Sequence, residues 1–226
     1  MAPSCPFCDL ETLREKLILE TEDYLWFPTL GQIVEGYTLL VPKAHVTCLG
    51  CLDEEKMGSF TEQLLLARET TEKEYVEPTV TFEHGGVGQT VTHAHLHIVP
   101  TNVSLFSRIQ KDYGYVAQIA SLSQLNALFQ LHGPYLFYGD CSGMYTFLPF
   151  YHEESHEKGR IYRLNESEAS PSPEKTKVVP PQYLRIILAE AVGKPERANW
   201  RTMDPSLDKE LLTRTRDRLR TRLNTP

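Results

Sequence analysis

The spacing of apolar positions changes several times along the chain, and each change predicts a different element. Residues 17–27 set two apolar runs around an acidic stretch and read as a strand pair, or as a helix feeding a strand. After Gly31 and Gly36, the run GYTLLVPKAHV is β-rich and stopped by Pro42, with His45 just beyond the stop. Met57, Phe60, Leu64, Leu65 and Leu66 then cluster at three-to-four spacing behind Asp53, which predicts a capped helix over 56–75, ended by Pro78. A short strand VTF and a glycine-rich turn HGGVGQ lead into TVTHAHLHIVP, where histidine alternates with small or apolar residues at the strand period of two. Residues 114–131 read as a helix, and PYLFYGD and MYTFLPF flank the turn CSG as a hairpin. From 164 to 178 the composition falls to Ser, Glu, Pro, Lys and Asn, which reads as a solvated loop or flexible linker. A helix resumes with QYLRIILAEAVG, and 208–223 forms a charged amphipathic helix. The mixed order predicts an α+β fold without internal repeats.

The 226 residues suit one domain with an extension better than two full domains. Hydrophobic residues at 41% and charged residues at 23% are globular values and exclude collagen-like and wholly disordered classes. The net charge of −7 gives no global attraction to nucleic acid or an anionic membrane, so any phosphate site must be local. No apolar stretch reaches membrane-spanning length, and the N-terminus lacks a basic start followed by an apolar run, so a cytoplasmic location is expected. Five cysteines, four of them in two Cys-x-x-Cys pairs, point to metal or redox chemistry rather than disulfides.

In strand geometry His93, His95 and His97 present three imidazoles on one face, with roughly 6.5 to 7 Å between successive Cα atoms. Three desolvated rings in a row must be paired or used. A neutral ring can attack phosphorus while a neighbour handles the proton, so nucleophilic catalysis at phosphate fits. The turn from His84 to Thr90 offers backbone amides at Gly88 and Gln89, and the Thr90 hydroxyl, to an anion. Cys5 and Cys8 have zinc-knuckle spacing, and His45 can turn its ring inward; two thiolates with two imidazoles make a tetrahedral structural site. Cys48 and Cys51 permit a rival four-cysteine site with Cys5 and Cys8, or else are simply buried. Cys141 has no evident partner.

His93-Ala-His95-Leu-His97-Ile-Val99 resembles the signature of the histidine triad (HIT) superfamily. Gly88-Gln89-Thr90-Val91, the run from Gly36 to His45, and Cys5-Pro-Phe-Cys8 stand in the family's order. The resemblance covers about residues 5 to 105 and divides the chain into a HIT-like catalytic domain, 1–105, and a C-terminal α/β extension, 106–226, packed on it. It implies an antiparallel sheet with packed helices, usually as a homodimer, that cleaves nucleotidyl phosphoanhydrides, phosphoesters or phosphoramidates. The partner implied is thus a nucleotide or nucleotide-like phosphorylated small molecule, with no nucleic acid and no membrane. His95 would be the nucleophile, giving a nucleotidyl-histidine that water hydrolyses. His97 would contact the phosphate or assist proton transfer, with Gln89 and Thr90 on its oxygens. In zinc-bearing members, residues matching Cys5, Cys8, His45 and His93 hold a structural zinc that braces the strand and orients the nucleophile.

Keeping His97 at the third triad position matches the hydrolase-like form; a nucleotidyltransferase or phosphorylase, or a non-catalytic zinc-stabilised binding module, are the alternatives. Two positions depart from the family. Thr29 stands where an acidic residue usually grips the ribose, and Tyr37 replaces the histidine of a common Gly-His pair. Glu83 or His84 are therefore candidates for contacts other members lack. In the extension, the aromatics 135–147 read as hairpin packing, His152 and His156 as solvated, and Trp200-Arg201 as an anchor for the tail.

Overall fold

The computed structural model describes residues 5–114, 116–148, 161–163 and 178–225. The linker expected from 164 and the residues His152 and His156 lie outside the described residues, apart from Val178 at the linker's end.

The first half of the chain builds one side of a sheet. A helical turn α1 (Leu10–Leu13) precedes strands β1 (Leu19–Glu20) and β2 (Tyr24–Pro28), so the ambiguous acidic segment is a strand pair. β3 (Thr38–Pro42) runs antiparallel to β2, and Trp26 Nε1 donates across the pair to Thr38 Oγ1 at 2.9 Å. The long helix α2 (Glu54–Tyr75) is capped by Asp53, whose side chain accepts from Lys56 N, and it buries Met57, Phe60 and Leu64 as their spacing predicts. β4 (Thr79–Gly85) and β5 (Leu96–Pro100) complete this half, each antiparallel to the other.

Residues 114–131 are not one helix. α3 (Phe106–Tyr113) ends at Gly114 with φ 78°, then come β6 (Val116–Ile119) and α4 (Gln124–His132). A short apolar run such as Val116-Ala117-Gln118-Ile119 satisfies either period, and antiparallel pairing with a neighbouring strand decides for β. β7 (Tyr135–Asp140) and β8 (Gly143–Phe147) form the expected hairpin, and β9 (Ile161–Arg163) lies parallel to β6. α5 (Tyr183–Ala191) and α6 (Pro205–Leu223) follow.

Among the described residues the nine strands belong to one sheet, in the order β1-β2-β3-β5-β4-β7-β8-β6-β9. The boundary expected at 105/106 is not a break in that sheet, because β7 pairs with the outer edge of β4 from Thr81↔Gly139 to Gly85↔Tyr135. Alternation along β7 sends Tyr135 and Phe137 to one face, with Phe60, Leu96 and Leu125, and Leu136 and Tyr138 to the other, with Phe82, Leu184 and Leu188. Helices thus cover both faces, and the fold is the α+β arrangement of an antiparallel sheet with packed helices. No helix among the described residues is long and apolar enough to cross a membrane.

A buried carboxylate marks the seam. Glu83 of β4, 1% exposed, accepts from Leu49 N at 2.8 Å and from the Tyr135 hydroxyl at 2.7 Å. Burial drives its carboxyl up to about 7, against the opposing pull of those two donors. The folded state therefore holds a proton that the unfolded chain gives up near pH 4.5, so stability contributed below that pH is lost as pH rises toward 7. The effect is on the order of 3 kcal/mol. Glu83→Gln removes it, so the variant's melting temperature relative to the parent should climb by about 5 to 10 °C between pH 5 and pH 8. A constant difference across that range would show the carboxylate ionised throughout.

Candidate active site and metal centre

The three histidines do not share one straight strand face. β5 begins at Leu96, so His97 is a strand residue between Leu39 and Phe82, whereas His93 and His95 lie in the turn that enters it. His93 N donates to Val91 O, and Ala94 N to Val46 O, which fixes that turn against the segment after β3.

Each ring has a distinct partner. His93 Nε2 lies 2.7 Å from Pro42 O, which can only accept, so the proton sits there and Nδ1 keeps its lone pair. That nitrogen faces Cys5 Sγ at 3.3 Å and Cys8 Sγ at 3.5 Å, and His45 Nδ1 is 3.2 Å from Cys8 Sγ. The ligand atoms of all four residues fall within 4.8 Å of one another. Two sulfurs and two imidazole nitrogens so disposed could hold a metal ion in a closed tetrahedral site, and the Pro42 carbonyl fixes the His93 tautomer that such a site needs. The rival site is not formed: Cys48 and Cys51 pair with each other at 3.6 Å, Cys48 fully buried, and neither joins the cluster.

His95 Nδ1 lies 2.6 Å from His93 O and so carries the hydrogen, leaving Nε2 unprotonated. Burial pulls this ring down to about 4, ahead of the neighbouring charges. It is neutral at neutral pH. Phe7, from the Cys5–Cys8 knuckle, packs edge-on against both His93 and His95 with centroids 5.7 and 5.2 Å away. His97 stacks on Phe82 at 4.5 Å, its Nδ1 is 2.8 Å from the Tyr37 hydroxyl, and burial holds it well below the usual histidine range. Tyr37 is thus the positioning partner of the third histidine.

His84 also reaches the site, 3% exposed and pulled down by burial to about 3, with Nε2 accepting from Leu184 N at 3.2 Å. Gly88, with φ 70°, leaves no room for a side chain: an added Cβ would lie 2.9 Å from Val179 and 3.0 Å from the Pro180 carbonyl oxygen. The Gln89 side chain is engaged within the turn, accepting from Gly86 N and donating to Thr47 O and Val91 O. Among the described residues the amides of Gly88, Gln89 and Thr90 donate to no protein acceptor, so the turn offers backbone donors rather than the Gln89 amide.

These groups open on a cavity of about 280 Å³, lined by His84, His95, His97 and the glycine-rich turn on one side and by Phe7, Phe27 and Leu39 on another. Thr29 lines it too, buried, its hydroxyl donating to Leu30 O. Glu83 does not, its carboxylate being spent on Leu49 and Tyr135. Lys16, Gln182, Arg185 and Trp200 are among the lining residues not singled out from the sequence as site residues, and the last three come from the extension. Arg185 carried a signal, since it stands one turn before the core positions Leu188 and Ala189 and so on the buried side of its helix. Trp200 does more than anchor a tail: its Cα would lie 2.5 Å from a Cβ added at Gly31, at the cavity wall.

The profile of the HIT domain matches residues 11–103. An uncharacterised HIT-like protein of Mycoplasma genitalium is 29% identical over 133 residues, 57% of this chain and 91% of its own. Among solved structures, a HIT family protein from Bacillus anthracis is 26% identical, covering 46% of this chain and 77% of that one with a TM-score of 0.42. A zinc-bound histidine triad family protein from Mycobacterium smegmatis is 24% identical, over 44% of this chain and 76% of that one, with a TM-score of 0.38. With the triad, the glycine-rich turn and the Cys/His cluster inside or beside the matched segment, residues 11–103 are a HIT domain, which spans less than half of the chain.

Proposed function

We propose that the protein is a hydrolase of nucleotidyl phosphoanhydrides, phosphoesters or phosphoramidates that works through a nucleotidyl-histidine on His95. The observation that carries this reading is the orientation of His95: Nδ1–H held by the His93 carbonyl, Nε2 unprotonated, the ring lining the cavity. In the first step Nε2 attacks the α-phosphorus, a P–N bond forms, and the bond from phosphorus to the leaving group breaks with its electron pair going to that group. His97, with centroid 5.0 Å from that of His95, would contact the phosphate or hand on a proton. The free amides of Gly88, Gln89 and Thr90 would receive the phosphate oxygens. In the second step water attacks phosphorus, the P–N bond breaks, and the water's proton leaves through the same neighbours.

Cys5, Cys8, His45 and His93 would hold a zinc ion, whose contribution there is bracing rather than Lewis acidity, since all four positions are protein ligands. His93 joins the two centres, because its ring faces the thiols and its carbonyl holds His95. A homodimer, also implied by the family, would need a surface other than the outer edge of β4, which β7 occupies.

The test is incubation with adenylylated and guanylylated compounds, with and without inorganic phosphate. The expected result is saturable release of the nucleoside monophosphate, unaffected by phosphate. Release that requires phosphate would make the protein a phosphorylase, and nucleotide binding without turnover of any compound would make it a binding module.

A further inference from the structure

The triad cavity has a charge pattern that the triad does not account for. Besides its histidines, its charged lining residues are Lys16 and Arg185, with no aspartate or glutamate among the described residues. Arg185 is 4% exposed and makes no ion pair among the described residues. Its Nη2 donates to Gly31 O at 2.6 Å, its Nε to Ala198 O at 3.4 Å, and its guanidinium lies 5.1 Å from the Tyr37 ring centroid. Two carbonyls and a ring occupy part of a five-donor fork and supply no formal negative charge. A guanidinium buried without a counter-ion is costly, and a neutral donor would tether the same carbonyls, so tethering alone does not explain a cation here.

α5 is also fixed to the glycine-rich turn. Gln182 N donates to Gly88 O at 2.8 Å, and Leu184 N donates to His84. Arg185 and the amides of that turn therefore form one rigid wall. Gln182 adopts a left-handed backbone, φ 62°, and its Oε1 is buried without a hydrogen-bond partner among the described residues. A non-glycine residue held in that conformation, with an unused acceptor at a cavity wall, is a feature of ligand sites.

We infer that Arg185 is the counter-ion for the anionic group of the substrate, so that the segment beyond the HIT domain supplies a binding charge to the cavity. The ligand class follows: a phosphorylated compound whose negative charge reaches Arg185, with a donor, hydroxyl or N–H, for Gln182 Oε1. The identification of that anion as a nucleotide phosphate rests on the function proposed above.

Calorimetry on the full chain with adenosine monophosphate, adenosine and inorganic pyrophosphate tests it, comparing the parent with Arg185→Met and Arg185→Lys. Loss of charged hydrogen bonds should weaken the monophosphate about ten- to a hundredfold in the Met variant and leave adenosine unchanged. The Lys variant, a cation without the fork, should fall between. Equal weakening of adenosine and its monophosphate, or no change in either, would reduce Arg185 to a tether and overturn the inference while leaving the proposed function standing. If the parent binds pyrophosphate through Arg185 but no adenosine compound, the inference stands and the nucleotide reading falls. Binding of none of the three by the parent would sink both. Should the Met variant fail to fold, the Lys variant decides by the same comparison.

Discussion

His95→Ala is expected to lower turnover by roughly 10⁴-fold or more while metal content and melting temperature stay near those of the parent. The ring lines a cavity, so its removal enlarges existing space instead of hollowing a close-packed core. The hydrogen bond it surrenders, to the His93 carbonyl, is local, and that carbonyl can be met by water entering the enlarged cavity. What disappears is the only imidazole nitrogen in the triad whose unprotonated state is fixed by an acceptor-only partner on the opposite side of the ring and which also lines the cavity. Supplying a nucleotide labelled at its α-phosphate should give the parent, but not the variant, an acid-labile and base-stable label. Turnover within tenfold of the parent would rule out covalent catalysis at this residue.

The second large effect concerns the metal. Cys8→Ser should strip zinc and lower the melting temperature by more than about 10 °C, since metal binding at such sites is folding free energy. Cys48→Ser and Cys51→Ser should leave metal content unchanged, because their sulfurs lie outside the cluster. Activity should fall with the metal, through kcat more than through KM. His93 would lose its anchor on the thiols, and its carbonyl would no longer hold the His95 ring in the attacking orientation, whereas the amides of the glycine-rich turn would remain. Metal analysis and melting curves on the same preparations decide it. A parent protein without bound metal, or Cys8→Ser with full metal content, would refute the assignment.

What could be read in the sequence was local. The Asp53 cap and the period of Met57, Phe60 and Leu64 fixed α2, and the CSG turn between aromatic runs fixed the hairpin, because each signal is complete within about twenty residues. The four residues of the candidate metal site stood in the family pattern, and the fold brings them together from three separate segments. The alternation of His93, His95 and His97 was real, but period two describes a turn as readily as a strand when its members hydrogen-bond to Val46 and Val91 outside the ladder. Residues 114–131 read as a helix because four apolar-rich positions fit both periods, and only pairing with β8 and β9, farther along the chain, breaks the tie. Arg185 and Trp200 escaped for the same reason at longer range: a helix pattern shows that a position is buried, not that it is buried beside a histidine ninety residues earlier.

The pairing of β7 with β4 and of α6 with the loop after β2 has a consequence for the order of events during synthesis. Thr215 Oγ1 donates to Gln32 Oε1, Asp208 accepts from Gly31 N, and Gly36 N donates to Thr215 Oγ1, contacts that span more than 170 residues. At about 5 to 20 residues per second, the loop containing Gly31 waits roughly ten to forty seconds for its partners to emerge. For the first part of that interval the edge of β4 is bare, and Val80 and Phe82 lack the cover that β7, β8 and α5 later give them. The nascent first half therefore carries the exposed strand edge, and that edge is closed once β7 has been made, before α6 emerges.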